Sequence, residues 1–199
     1  MDTRKEQILE AAKELFNRLG YTKTSVDDIS KCLGMTKSSL YYYFKNKEEI
    51  FFEAFSKEWE ENLDKFQQEA LKYENPMDQL LAYSSETLKY HEKTVLQHKI
   101  PISTVVETRN MFREFVYKVN QQRLNFYVNI IEEGKKIGLF VECDSEKVAK
   151  SLISVKFALQ YDNYNKFINI KPNQTDFKKI EEQVIFALRL MLKGIVKKS

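Results

Sequence analysis

Short polar and cationic side chains cluster in one segment of the chain, between Ser25 and Phe44. The run from Thr36 to Ser39 reads Thr-Lys-Ser-Ser and so places three hydroxyls and one ammonium side by side. Small hydroxyl side chains let a backbone approach a DNA groove closely, and they can bond phosphates or base edges. A lysine beside them adds positive charge for the phosphate backbone. The segment therefore predicts a surface that binds nucleic acid.

The same segment carries a local excess of positive charge. Between Lys31 and Lys47 the chain has four lysines and no acidic residue, while the whole chain has a formal net charge of +3. Acidic residues flank this span at 27–28 and 48–49. A focused basic patch is the electrostatic footprint of a duplex-binding surface. Because lysines alone would equally suit a solvated face, the interpretation also depends on the local fold.

Two short helices with a glycine between them are predicted in this segment. Ser25 followed by Asp28 is a capping signal that opens the first helix, and Gly34 ends it. Thr36 opens the second helix. Two short helices joined by a tight turn form a helix-turn-helix, in which the second helix enters the major groove and the first braces it.

Four aromatic residues in a row follow the hydroxyl cluster, and one helix face cannot bury them all. We expect Leu40, Tyr43 and Phe44 to be core residues. Whether Tyr41 and Tyr42 pack in the core or contact DNA stays open, since an outward phenol can bond a phosphate.

The remaining elements that position this segment are also predicted to be helical. Only 5 glycines and 3 prolines occur in 199 residues, which favours long helices with few turns. Asn46 caps a long fourth helix that runs to about Tyr73, and the stretch 104–133 is helical with a possible division near 109–110. Residues 161–173 are expected to form a loop. The predicted fold is all-α, with about nine helices.

Other classes of function find little support in the residues. Cys32 and Cys143 have no metal-ligand spacing, and His91 and His98 lack a partner for zinc. No glycine-rich phosphate loop and no nucleophile-base-acid grouping is present, so we expect neither an enzyme nor a cofactor. The N-terminus lacks an apolar signal region, and no run of about 20 apolar residues would span a membrane. We therefore expect a cytoplasmic protein.

The order and spacing of the N-terminal motifs resemble the TetR family of bacterial repressors. The matching residues are Leu19-Gly20-Tyr21, then 24–29 and 33–50, and the likeness extends over roughly residues 4–55. The rest of the chain is similar only in length and helix count. The resemblance implies an all-α homodimer that binds a palindromic operator and releases it when a small ligand enters the C-terminal domain.

The resemblance also implies a division of the chain and a set of DNA contacts. Residues 1–48 would form the DNA-binding domain, with three helices, and a long fourth helix would join it to an effector-binding and dimerisation domain at 49–199. The chain departs from the family pattern at Ser30 and Leu33, where Ala is usual, and near Ser39, where Gly is frequent. These departures leave the operator sequence unpredictable. The DNA contacts implied by position are Thr24, Ser25, Thr36, Lys37, Ser38, Ser39, Tyr41, Tyr42, Lys45 and Lys47.

The C-terminal part is rich in large aromatic residues, which suits a hydrophobic or amphipathic effector held between helices. The predicted lining is Trp59, Tyr83, His91, Arg109 and Arg113. Two apolar stripes on the last two helices predict a four-helix dimer interface, with packing inside one chain as the alternative. The stripes consist of Val148, Leu152, Val155, Leu159, Val184, Ala187, Leu188, Met191 and Ile195.

A mechanism follows from these expectations. A bound ligand would change the tilt of the fourth helix, so that the two recognition helices of the dimer no longer fit successive major grooves. Three alternatives stay open: a DNA-binding protein without an effector, an activator of the same fold, and a small helical enzyme with an aromatic substrate pocket.

Overall fold

A computed structural model describes residues 3–102, 113–167 and 169–198, with the side chains at 113–116 and 118 outside that description. These residues form eight α-helices, which confirms the all-α prediction. The helices are α1 Thr3–Leu19, α2 Val26–Cys32, α3 Lys37–Tyr43, α4 Lys47–Ala70, α5 Pro76–Gln97, α6 Arg113–Lys136, α7 Ser145–Lys166 and α8 Phe177–Lys193. A single 3-10 turn, Pro172–Gln174, precedes α8.

The first three helices pack around a hydrophobic cluster of their own, here called the N-terminal cluster. α4 begins in this cluster and contributes Ile50, Phe51 and Phe55 to it. The ring of Phe16 from α1 meets Phe51 edge-on, with the two centroids 5.0 Å apart. Such edge-to-face pairs stabilise a core beyond the apolar area that they bury. The other buried members are Ile8, Ala12, Leu15, Tyr21, Val26, Ile29, Leu40, Phe44 and Ile100.

Helices α5 to α8 pack around a second cluster, here called the C-terminal cluster. Its centre holds the fully buried rings of Tyr83 and Tyr127, and α4 reaches it with Ala70 at its far end. A long α4 thus contributes to both clusters, as the sequence predicted for a connecting helix.

The end of α5 makes a second connection between the two clusters. Ile100 follows α5 in the chain and is buried in the N-terminal cluster. The carbonyl of His98 accepts a hydrogen bond of 2.6 Å from the backbone N–H of Tyr21, and the His98 ring lies 4.5 Å from that of Phe55. Any movement of α5 along its axis therefore acts directly on the loop between α1 and α2.

Some predicted boundaries were wrong. Residues 161–166 continue α7 and are not a loop, because Asn163 and Tyr164 are buried against the C-terminal cluster and its neighbours. α4 ends at Ala70, three residues before Tyr73. The helix predicted to end at 133 continues through Gly134 to Lys136. The Phe140 ring packs where a side chain at 134 would project. The predicted division near 109–110 lies outside the described residues.

None of the helices within the described ranges is long and apolar enough to cross a bilayer. Among the same residues, no three His, Cys, Asp or Glu side chains come together in a way that could hold a metal ion.

Candidate nucleic-acid interface and effector site

The first helix of the helix-turn-helix is fixed at its start by a complete capping box. The Ser25 hydroxyl accepts a hydrogen bond of 3.1 Å from the Asp28 N–H, and the Asp28 carboxylate accepts one of 2.9 Å from the Ser25 N–H. Hydrogen bonds from the Ser25 side chain and backbone lower the pKa of Asp28. The start of α2 is therefore held by its own sequence, with Val26 and Ile29 turned into the N-terminal cluster.

The turn and the second helix follow from local sequence as well. Gly34 adopts φ +62°, a left-handed conformation that glycine takes without steric cost. Thr36 then caps α3 by accepting a hydrogen bond of 3.1 Å from the Ser39 N–H. Leu40 is fully buried and Phe44 nearly so, which anchors α3 and turns its other face outward.

The outward face of α3 carries most of the predicted DNA contacts. Tyr42 is 85% exposed and Tyr41 46% exposed, so the two phenols left open by the sequence both reach solvent. Ser25 lies exposed at the start of α2, on the neighbouring helix. The exposed members of the predicted set are Ser25, Thr36, Lys37, Ser38, Ser39, Tyr41, Tyr42 and Lys45.

Two predicted contacts are placed differently. Thr24 is only 1% exposed, and its hydroxyl donates a hydrogen bond of 2.9 Å to the Gly20 carbonyl, so its side chain does not reach the surface. Lys47 turns its ammonium inward, where it donates to the Tyr21 carbonyl at 3.1 Å and lies 4.1 Å from the Tyr21 ring centroid. Burial lowers the pKa of Lys47. The Thr24 side chain is thus buried where the sequence predicted a surface contact, and Lys47 would have to turn outward to meet a phosphate.

In the folded chain, an acidic side chain lies within the basic patch that the sequence predicted. The Asp27 carboxylate lies 3.1 Å from the Lys37 ammonium, although ten residues separate the two in the chain. This hydrogen bond and the charge of Asp27 raise the pKa of Lys37. In the free protein, the lysine at the start of α3 is thus already paired.

The predicted effector residues do not form one group. Trp59 belongs to the side of α4 that packs on the N-terminal cluster, with its ring 5.4 Å from that of Phe52. Tyr83 and His91 lie two turns apart on α5 within the C-terminal part. Arg109 lies outside the described residues, and so does the side chain of Arg113.

His91 takes part in a polar chain. Its Nδ1 lies 2.7 Å from the Tyr164 hydroxyl, and the rings are stacked at 5.4 Å. The Gln160 amide donates to the same hydroxyl at 3.0 Å, and the tautomer of His91 sets which of the phenol and the imidazole donates to the other. Burial, with the nearby charge of Lys156, lowers the pKa of His91 to about 4.

Sequence reasoning missed two cations in the same region, Arg123 on α6 and Lys156 on α7. They are 7% and 2% exposed. Lys156 shares the helical spacing of the buried residues Leu152 and Gln160, so a charged residue on an inward face was the signal that could have revealed it.

The predicted dimer stripes face the interior of a single chain. Leu152, Val184 and Leu188 are at most 1% exposed in the C-terminal cluster and have no surface left for a partner. Val148, Leu159, Met191 and Ile195 pack against the same cluster, and Val155 and Ala187 are partly buried. The apolar residues exposed on α8 are instead Phe186 (64%) and Leu190 (55%). The interior alternative is therefore correct for the three buried residues.

Comparison with known proteins agrees with this geometry. Residues 8–54 match the family model for bacterial regulatory proteins of the tetR family. The chain is 31% identical over 164 residues to the HTH-type transcriptional regulator YhgD of Bacillus subtilis, an alignment that covers 80% of this chain and 83% of that protein. A transcriptional regulator from Cytophaga hutchinsonii has a similar structure, with a TM-score of 0.72, 22% identity, and 98% and 100% of the two chains covered. The structure of Bacillus subtilis FadR in complex with stearoyl-CoA gives a TM-score of 0.62 at 22% identity, with 96% and 98% covered.

Proposed function

The chain belongs to the TetR family of bacterial transcriptional regulators, and from that premise we propose that it is a dimeric repressor released from a palindromic operator by a small ligand. Residues 1–48 form the DNA-binding domain and 49–199 the effector-binding and dimerisation domain in this proposal. The two hydrophobic clusters support a division near the start of α4. As a regulator of bacterial DNA, the protein would act in the cytoplasm.

The observation that carries the DNA-binding role is the exposed face of α3 above a fully buried Leu40. Burial of Leu40 fixes the rotation of the helix, so that Lys37, Ser38 and Tyr42 all point away from the core. The Thr36 hydroxyl caps α3 and lies 2.7 Å from that of Ser39, so these two groups meet the DNA as a pair. We place Ser25 and Lys45 on flanking phosphates.

A two-fold arrangement would match a palindromic site. For two copies of α3 to enter successive major grooves, they must lie about 34 Å apart. We propose that the copies join through the outer faces of α7 and α8, where Phe186 and Leu190 are exposed one helical turn apart. A second copy would cover these side chains, and each copy would present the same surface to the other.

Release by a ligand requires a connection between the two clusters, and α4 and α5 both provide one. α4 contributes side chains to each cluster, and α5 carries Tyr83 and His91 before its end meets the N-terminal cluster at His98 and Ile100. A ligand that favours one position of these helices would shift the separation of the recognition helices. The shift cannot exceed the ligand's difference in affinity between the two states. FadR in complex with stearoyl-CoA supports a hydrophobic or amphipathic effector.

The test is selection of DNA from a random pool with the purified protein, followed by anisotropy titration of the selected fragment. We expect an inverted repeat and preferential binding over scrambled DNA. The variant Tyr42→Ala should lose that preference, whereas Lys178→Ala, an exposed change on α8, should keep it. Failure to prefer any sequence would overturn the proposal.

A reporter gene behind the selected fragment distinguishes the remaining alternatives. Lower expression with the protein present supports a repressor, and higher expression supports an activator. Reporter expression that stays unchanged when lipids, acyl thioesters, dyes and antibiotics are added favours a DNA-binding protein without an effector.

A further inference from the structure

Two basic side chains are buried together in the C-terminal part, and none of the carboxylates that the structure describes forms an ion pair with them. Lys156 is 2% exposed and Arg123 7% exposed. Both lie against the ring of Phe157, with the Lys156 ammonium 5.9 Å and the Arg123 guanidinium 4.9 Å from its centroid. Within the described residues, neither cation forms an ion pair with an acidic side chain.

The hydrogen bonds of these groups are incomplete as well. Lys156 donates to the Thr87 hydroxyl of α5, and Arg123 donates from Nη1 to the Asn120 side chain at 2.8 Å. The buried Arg123 Nε and Tyr83 hydroxyl each lack a hydrogen bond of good geometry among the described residues. The two side chains adjoin, and the Arg123 charge offsets part of the rise that burial causes in the pKa of Tyr83. Three helices, α5, α6 and α7, thus direct donors into one region, from Tyr83, Arg123 and Lys156 in turn. The Thr87 hydroxyl of α5 accepts from Lys156 there and donates to the Ser84 carbonyl.

Burying these two basic groups without a counter-charge costs free energy. Removing a cation from water costs several kcal/mol unless a counter-charge or a full set of hydrogen bonds offsets it. Arginine cannot lose its proton, so the charge of Arg123 persists. Lysine can, and burial together with the Arg123 charge lowers the pKa of Lys156 well below its ordinary value. The charge of Asp64, an exposed residue of α4, makes only the last-ranked contribution to the raised pKa of Tyr83.

We propose that Arg123 and Lys156 bind the acidic group of an anionic effector, with the Tyr83 hydroxyl as a further donor. A carboxylate or a phosphate would supply the missing counter-charge and accept from the unpartnered Arg123 Nε. Charge-assisted hydrogen bonds of this kind are stronger than neutral ones. The apolar rings of Phe126 and Phe157 beside these donors suit an anion that carries a hydrophobic part. This inference rests on the proposed ligand-responsive function and names the chemical class of the ligand.

The site also lies where a ligand could act on the DNA-binding part. Thr87 and Tyr83 belong to α5, whose end meets the N-terminal cluster at Ile100. An anion that draws α5 toward α6 and α7 would therefore move the residues that contact the loop before α2.

The test compares four probes on the full-length protein by calorimetric titration and thermal shift: dodecanoate, lauroyl-CoA, dodecanol and dodecyltrimethylammonium. We expect the two anions to bind at least tenfold more tightly than the alcohol and the cation. Binding of dodecanoate identifies a carboxylate as sufficient. Binding of lauroyl-CoA alone identifies the phosphates as the anionic group.

Two neutral variants, Lys156→Met and Arg123→Met, separate recognition from folding. Each should weaken binding of the anionic probes at least tenfold, yet each ligand-free variant should melt at the wild-type temperature or above it. Arg123→Met removes a buried charge without a counter-charge, and Lys156→Met removes a buried amine that is costly to protonate. Lys150→Met, an exposed change on the same helix, should alter neither property.

Three results would overturn the inference: equal binding of all four probes, unchanged anion binding by both Met variants, or a lower melting temperature of ligand-free Lys156→Met. The last would show that the protein already stabilises the Lys156 ammonium without an anion. Operator binding is measured in parallel. Sequence-specific DNA binding that a neutral or cationic probe releases would keep the proposed function and reject the anionic class.

Discussion

The Lys37 ammonium lies 3.1 Å from the Asp27 carboxylate, which links the first turn of α3 to the first turn of α2. Both side chains are about half exposed. The ion pair connects the two helices of the helix-turn-helix, but it also neutralises an ammonium that could otherwise bind a DNA phosphate. Binding to a phosphate must therefore compete with Asp27.

This competition predicts opposite effects of two substitutions. Asp27→Asn should tighten binding to any duplex, within about fivefold because exposed ion pairs are weak. Lys37→Ala should weaken binding and lower the slope of log affinity against log salt by about 0.9, the value for one lost phosphate contact. Anisotropy titrations at several salt concentrations measure both. Equal slopes for Lys37→Ala and the wild type would place Lys37 away from the DNA.

Substitutions at two neighbouring positions of α3 should affect DNA affinity and folding stability separately. Tyr42 is 85% exposed, so Tyr42→Phe should leave the free energy of unfolding unchanged and weaken operator binding severalfold through loss of the hydroxyl. Leu40 is fully buried, and Leu40→Ala should cost about 2–5 kcal/mol of stability. Urea denaturation measures the free energy of unfolding, and anisotropy titration measures the operator affinity. If Tyr42→Phe leaves the operator affinity unchanged, the Tyr42 hydroxyl does not contact the DNA.

The proposed dimer surface is tested by Phe186→Glu on α8. A charge at this 64% exposed position would be buried between two copies, so we expect monomers in sedimentation velocity and weaker operator binding. Ile137→Glu is the matched control, because Ile137 is 59% exposed and follows α6, outside the helices that form the proposed interface. A Phe186→Glu protein that sediments as the wild type does would assign the dimer to other residues.

Acid should destabilise the protein through His91. Its ordinary pKa is 6.5, and burial lowers the pKa to about 4 in the folded chain. The folded state thus prefers the neutral ring, so this contribution to stability is complete above pH 6.5 and is lost as the pH falls toward 4. The loss is at most about 1.4 kcal/mol per pH unit.

The variant His91→Asn keeps a side-chain acceptor for the Tyr164 hydroxyl and cannot titrate. Between pH 6.5 and 5, its free energy of unfolding should vary less with pH than that of the wild type. Urea denaturation at several pH values gives the slope. A slope that the substitution does not change would show that His91 is protonated as easily in the folded chain as in the unfolded one.

Local sequence determined much of the DNA-binding part. The capping pair Ser25 and Asp28, the glycine at 34 and the Thr36 cap all act within four residues, so their effects can be predicted from spacing alone. The prediction that Leu40 and Phe44 are buried was also correct, since helical periodicity places apolar residues on one face.

Contacts between distant residues were decided only by the tertiary structure. No local pattern shows that Asp27 folds back on Lys37 or that Lys47 turns toward Tyr21. The two stripes on α7 and α8 have an amphipathic spacing that suits a dimer and a monomer core equally. Only the packing of these helices on each other and on their neighbours shows that Leu152, Val184 and Leu188 are buried within one chain. Burial of Arg123 and Lys156 likewise depends on three helices that meet in space, because the cost of an unpaired charge is set by all its neighbours and not by its position in the sequence.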